Sequence, residues 1–132
     1  MLVLPRAMVE QVVAHARRDH PDECCGVIAG KDGVATRLFA MGNAERSPTG
    51  FVFDPQEQLT VWRGLDDADE DLLVVYHSHT MTEAYPSRTD VTWSVNTPGT
   101  WWLLVSTRSD EDEVRSYRIS DGVITQEEVR VT

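Results

Sequence analysis

The stretch that most constrains this chain is Leu72-Leu73-Val74-Val75-Tyr76, followed directly by His77-Ser78-His79. An apolar run of this length reads as a buried strand, and strand side chains alternate between faces with a period of two. His77 and His79 therefore leave the strand end on the same side. Two imidazoles held side by side suit a borderline-soft cation, zinc being the commonest. A third ligand is needed, and Asp90 is the candidate. Pro86-Ser87-Arg88-Thr89-Asp90 reads as a helix start, with Ser87 as N-cap and an acid three residues on. The loop 80–85 can return that carboxylate to the strand end. Two nitrogens and one oxygen then leave a fourth position for water, the pattern of a catalytic metal site. Each part also has a plainer reading. A His-x-His pair occurs as hydrogen-bonded surface residues, and Asp90 alone suits a first-turn carboxylate favoured by the helix dipole. It is their joint occurrence that points to metal.

His77-Ser78-His79, seven intervening residues, Ser87, two more and Asp90, with Glu23 upstream, resemble the JAMM (MPN+) metallopeptidase motif. Flanking segments 14–23 and 43–48 are similar as well, so the resemblance spans nearly the whole chain. It implies a JAMM, or cytidine-deaminase-like, fold and one Zn2+ per chain on His77, His79 and Asp90. It also implies Glu23 as the group that takes a proton from water and returns it to the leaving amine, and Ser87 as a donor to the tetrahedral oxyanion. The implied activity is a zinc peptidase working at the C-terminus of a ubiquitin-like sulfur-carrier protein that bears a terminal cysteine, releasing that cysteine for cysteine biosynthesis. Without the resemblance, Glu23 before an apolar run would be read as exposed and Ser87 as a simple cap. Loop 80–85, with Tyr85, is placed to wall the position of the released cysteine, and Arg88 to pair with its carboxylate. The plain alternative for Arg88 is an exposed first-turn arginine. Two other functions stay open, a deubiquitinase-like isopeptidase and a non-catalytic binder of ubiquitin-like tails, whereas a deaminase does not fit. The deaminase requires a Cys-x-x-Cys ligand pair, which the sequence lacks.

A length of 132 residues fits a single domain, 1–132. The net charge of −10 weighs against nucleic acid or an anionic membrane as partner, because both require a basic surface. The acidic runs 66–71 and 110–113 read as solvated. Cys24 and Cys25 are adjacent, which offers no disulfide framework and fits a reducing, cytoplasmic setting. They open a buried strand and read as structural thiols. No segment approaches the roughly 18 apolar residues of a membrane span, and no signal peptide is visible. A homodimer stays open.

In chain order, 5–20 reads as a helix stopped by Pro21, with His15 and His20 solvated or capping. Segments 24–30 and 34–41 form a hairpin about Lys31-Asp32-Gly33. A polar loop follows to Gly50, then a short strand at 51–53. Asp54-Pro55-Gln56-Glu57 opens a helix with a capping box and with Leu59, Trp62 and Leu65 inward. After the Ser87 helix come a strand at 101–105 and a hairpin of 114–119 with 123–131 about Ser120-Asp121-Gly122. Trp101 and Trp102 read as core. These elements specify an α+β (α-β-α) chain: a mixed, largely antiparallel sheet with helices packed on it.

Overall fold

Apolar runs without polar alternation must be covered on both faces. The computed structural model, which describes residues 1–132, does this with three layers. Its strands are β1 (Leu2–Leu4), β2 (Cys25–Lys31), β3 (Val34–Met41), β4 (Asp71–His79), β5 (Trp101–Ser106), β6 (Glu113–Ser120), β7 (Val123–Glu127) and β8 (Val129–Val131), and its helices are α1 (Arg6–Asp19), α2 (Pro55–Asp67) and α3 (Arg88–Ser94). The middle layer is a six-stranded sheet ordered β3-β2-β4-β5-β6-β7. Every neighbouring pair is antiparallel except β4–β5, which α3 connects as a crossover. The expected α+β architecture is the one that forms.

Alternation sorts the strands' side chains into two cores. Cys24, Ile28, Val74, Tyr76, Leu103 and Val105 face α1, meeting Val12 and Ala16. Cys25, Val27, Val75, Trp102 and Leu104 face the other way, where Val61 and Trp62 of α2 and Val91 and Trp93 of α3 pack on them. Each fully buried aliphatic side chain contributes about 1.5–3 kcal/mol of transfer free energy. Both hairpin turns are Asp-Gly pairs with positive φ at each residue: 52° and 80° at Asp32-Gly33, and 51° and 77° at Asp121-Gly122. Such turns match the twist of the flanking strands.

Several expectations need correction. Segment 51–53 forms only an isolated bridge, Asn43 to Phe53. On α2 the inward stripe is 58, 61, 62 and 65, so Leu59 lies one residue round the helix and is 46% exposed. Asp54 does cap α2, accepting from Gln56 N–H and Glu57 N–H. Glu57 closes no capping box and instead accepts from Gly42 N–H. Segment 123–131 is two strands: β7 continues the sheet, and β8 leaves it to pair in parallel with β1. Three-residue strands are too short for periodicity to reveal. His15 is buried rather than solvated, bonded through Nδ1 to the Tyr76 hydroxyl at 2.7 Å and through Nε2 to Asp19 at 3.1 Å. No helix is long and apolar enough to cross a membrane.

The His15–Tyr76 contact leaves no space for a side chain at residue 26. A Cβ on Gly26 would lie 2.4 Å from the Tyr76 ring and hydroxyl, and the buried, hydrogen-bonded ring has nowhere to go. Gly26→Ala is expected to destabilise the protein by about 1–3 kcal/mol in chemical denaturation. An unchanged midpoint would mean that the Tyr76 ring is free to move.

Candidate metal centre

The centre is built where β2 begins and β4 ends. Cys25 pairs with His77 in an antiparallel register, so Cys24 stands opposite Ser78 and Glu23 opposite His79. Directly opposed residues share a face, which puts Glu23, His77 and His79 together. Ser78 keeps the pairing intact to its last residue: its hydroxyl accepts from Cys24 N–H at 2.8 Å, and its own N–H donates to the Cys24 carbonyl at 3.2 Å. Glu23 is then clamped by its backbone. Its N–H donates to the Ser47 carbonyl at 2.9 Å, and its carbonyl accepts from Asn43 Nδ2 at 3.0 Å. One ligand-capable atom from each of Glu23, His77 and His79 lies within 4.8 Å of the others.

Asp90 comes from α3, where Ser87 caps the first turn. The Ser87 hydroxyl accepts from Asp90 N–H at 3.2 Å, and Asp90 Oδ2 accepts from Ser87 N–H at 2.8 Å. This reciprocal box uses one carboxylate oxygen and aims the other, Oδ1, at His77 Nε2, 2.9 Å away. Glu23 Oε1 stands 3.5 Å from His77 Nδ1. Both His77 nitrogens are nevertheless buried without an aligned hydrogen-bond partner. A buried ring nitrogen set against a carboxylate oxygen without hydrogen-bond alignment fits a cation shared by that pair.

His79 is oriented from behind. Its Nδ1 donates to the Glu83 carbonyl at 2.9 Å, which leaves Nε2 as the free ligand atom, the usual outer-shell device for a metal-binding imidazole. The loop carrying Glu83 is itself fastened. Thr80 Oγ1 donates to the Pro48 carbonyl at 3.0 Å, Ala84 N–H to Glu113 at 2.7 Å, and the Tyr117 hydroxyl to the Ala84 carbonyl. Phe51 lies against the His77 ring, centroids 4.6 Å apart, with Trp102 edge-on behind it.

Charge points the same way as geometry. Burial pulls the His77 imidazole down, yet Asp90 and Glu23 together outweigh it and hold the pKa up at about 9. Burial pushes Asp90 up, but His77, the Ser87 N–H and His79 bring it below the ordinary range. Two buried carboxylates this close to one imidazole require a positive partner.

The match to a family model decides whose architecture this is. Residues 5–120 match the model described as prokaryotic homologs of the JAB domain. The chain belongs to this Prok-JAB family. It is 55% identical to the CysO-cysteine peptidase of Mycobacterium tuberculosis, over 99% of this chain and 91% of the relative. It is 35% identical to a probable TtuB-protein conjugate cleaving protease of Thermus thermophilus, over 92% of this chain and 78% of that one. Among solved structures, protein DSY2949 of Desulfitobacterium hafniense superimposes with a TM-score of 0.85 at 30% identity, covering 100% of this chain and 93% of that one.

Of the residues expected at the site, the Prok-JAB fold clusters Glu23, His77 and His79, sets Asp90 against His77, and ties Ser87 to Asp90. Tyr85 is 46% exposed, its ring edge-on to Tyr117 at 5.5 Å. Arg88 is exposed on the first turn of α3, and its side chain makes no ion pair. The thiols stay structural: burial pushes Cys24 up to about 12 and raises Cys25 as well, so neither is a thiolate at neutral pH. Sequence reading overlooked Asn43, Glu83 and Glu113. Asn43 looks like loop punctuation, Glu83 acts through its backbone, and Glu113 sits in an acidic run.

Protons and a cation compete for this pocket, and the sign of the effect follows from the shifts. With metal chelated, His77 has a folded pKa raised above its ordinary 6.5. Its contribution to stability is complete below pH 6.5 and is lost as pH rises through about 9. Asp90, with its pKa depressed, loses its contribution on acidification. The chelated protein is therefore expected to melt at progressively lower temperature from pH 6.5 to 9, and the metal-loaded protein is not, because metal favours deprotonated ligands. A flat profile for the chelated protein over that window would contradict this electrostatic picture.

Proposed function

We propose that this Prok-JAB protein is a zinc-dependent peptidase that hydrolyses the amide joining a C-terminal cysteine to a ubiquitin-like sulfur carrier. The observation that carries the reading is the enclosure of His77 between two carboxylates of different attachment. Asp90 is locked by the capping box, and Glu23 hangs from the β2 edge. One carboxylate serves as ligand and the other stays available to move a proton. The 55% identity to a CysO-cysteine peptidase supports the choice of substrate.

His77, His79 and Asp90 would hold the ion, one per chain, and two imidazoles with one carboxylate suit zinc with a fourth position open. When bound, zinc supplies Lewis-acid polarisation and lowers the pKa of water toward neutrality. Glu23 takes the proton as water's oxygen adds to the scissile carbonyl. It returns that proton to the amide nitrogen as the C–N bond breaks, leaving a carboxylate at the end of the carrier and a free amine on cysteine. Ser87 has spent its oxygen lone pair on Asp90 N–H, so its hydroxyl proton remains free to meet the oxyanion. Phe51 and Trp102, packed on the His77 ring, lower the local dielectric and so strengthen these interactions. Two free buried thiols fit a reducing cytoplasm.

Glu23→Gln keeps the shape of the side chain and loses the base. It should retain zinc and lose about 10²–10⁴-fold in rate, the range typical of general acid–base catalysis, in mass-spectrometric cleavage of a carrier ending in an added cysteine. His79→Ala should lose zinc. A Glu23→Gln variant that still cleaves, or a wild-type zinc enzyme that cuts carrier–protein conjugates, as the name of the Thermus relative indicates for that protein, and leaves the added cysteine in place, would replace this reading.

A further inference from the structure

Beside Glu23 lies an open polar cleft of roughly 680 Å³, between the end of α1, the end of β3 and the start of α2. Most of the charges on its walls are already engaged. Asp19 bonds His15 and Arg18, Asp54 caps α2, and Glu57 accepts from Gly42 N–H. Arg46 is the exception among the cations: it lines the cleft, is exposed, and its guanidinium makes no ion pair or hydrogen bond.

The backbone beneath Arg46 is unusual. Its φ is +46°, a left-handed conformation that non-glycine residues rarely adopt and that persists only where the surroundings enforce it. The enforcement runs through Glu23. Arg46 N–H donates to the Asn43 carbonyl at 3.1 Å, and Asn43 Nδ2 donates to the Glu23 carbonyl at 3.0 Å. The next residue, Ser47, accepts from Glu23 N–H at 2.9 Å. A free guanidinium is thus carried on the same hydrogen-bonded clip that positions the proton-transferring glutamate.

We infer that Arg46 reads the free α-carboxylate of the departing amino acid, which restricts the enzyme to substrates with a single residue beyond the scissile bond. This rests on the peptidase reading above. In such a substrate the carboxylate is separated from the amide nitrogen by one Cα, so its receptor must stand next to the group that protonates the nitrogen. Guanidinium meets carboxylate through two parallel N–H···O bonds, a geometry that an amide or a longer chain cannot reproduce. A conjugate through a lysine side chain has no carboxylate at that position. Arg88, which does not line this cleft, is the competing reader.

The test compares kcat/KM of the zinc-loaded enzyme on a carrier extended by one cysteine, as the free acid and as the C-terminal amide. The wild type is expected to prefer the acid. Arg46→Gly, which suits the left-handed backbone without strain, should reduce that preference about tenfold or more, mainly through KM, as loss of a charge-assisted pair implies. Arg46→Lys should recover part of it, and Arg88→Ala should keep it. Zinc content and melting temperature, measured alongside, establish that each variant is folded and loaded. An unchanged preference in Arg46→Gly, or its loss in Arg88→Ala instead, would overturn the inference and leave the peptidase reading standing. Failure of the wild type on both substrates would remove both.

Discussion

The antiparallel register of β2 on β4 is the constraint on which the rest depends. With Cys25 opposite His77, Glu23 and His79 fall opposite each other on one face. A slip of one residue would turn Glu23 toward α1 and leave the histidines without it. The register is held by the buried ladder and by the Ser78–Cys24 hydrogen bonds at its end. It is also held by shape, because Gly26 alone leaves space for the Tyr76 ring. The sheet's single parallel pair then matters. The crossover from β4 to β5 carries α3 back over the carboxyl end of β4, where open sheets commonly place their ligands.

The site's polar groups are divided so that each does one thing. Asp90 gives one oxygen to its own helix cap and the other to the centre. His79 gives Nδ1 to the Glu83 carbonyl and keeps Nε2. Ser87 accepts with its oxygen and retains its proton. The backing groups are fixed in turn by Thr80, Glu113 and Tyr117. Such support lets a metal centre keep its geometry with few protein ligands, and it ties the loop 80–85 to the His79 ring rather than leaving it a passive connection.

Much of this was legible in the chain itself, where the physics is local. Alternation in 72–79 set the histidines on one side, and the Ser87–Asp90 spacing announced a capping box that forms as expected. Glu23 was placed only by resemblance to JAMM proteins, since nothing local distinguishes it from any acid before a strand. Long-range pairings were invisible for a simple reason. The burial of His15 depends on Tyr76, sixty-one residues away, and the β1–β8 pair joins the two ends of the chain. Asn43 and Arg46 likewise take their meaning from Glu23, through contacts that no spacing encodes.

In the proposed mechanism Asp90 completes the ligand set and Glu23 stays outside it to handle protons. Both carboxylates approach His77, so their roles are separable only with the ion present. Anomalous diffraction at the zinc edge from crystals of the zinc-loaded protein tests this directly. The expected result is one peak per chain bonded to His77, His79 and Asp90 at about 2.0–2.2 Å, with Glu23 beyond bonding distance. A peak ligated by Glu23 in place of Asp90, or no peak at this site, would contradict it.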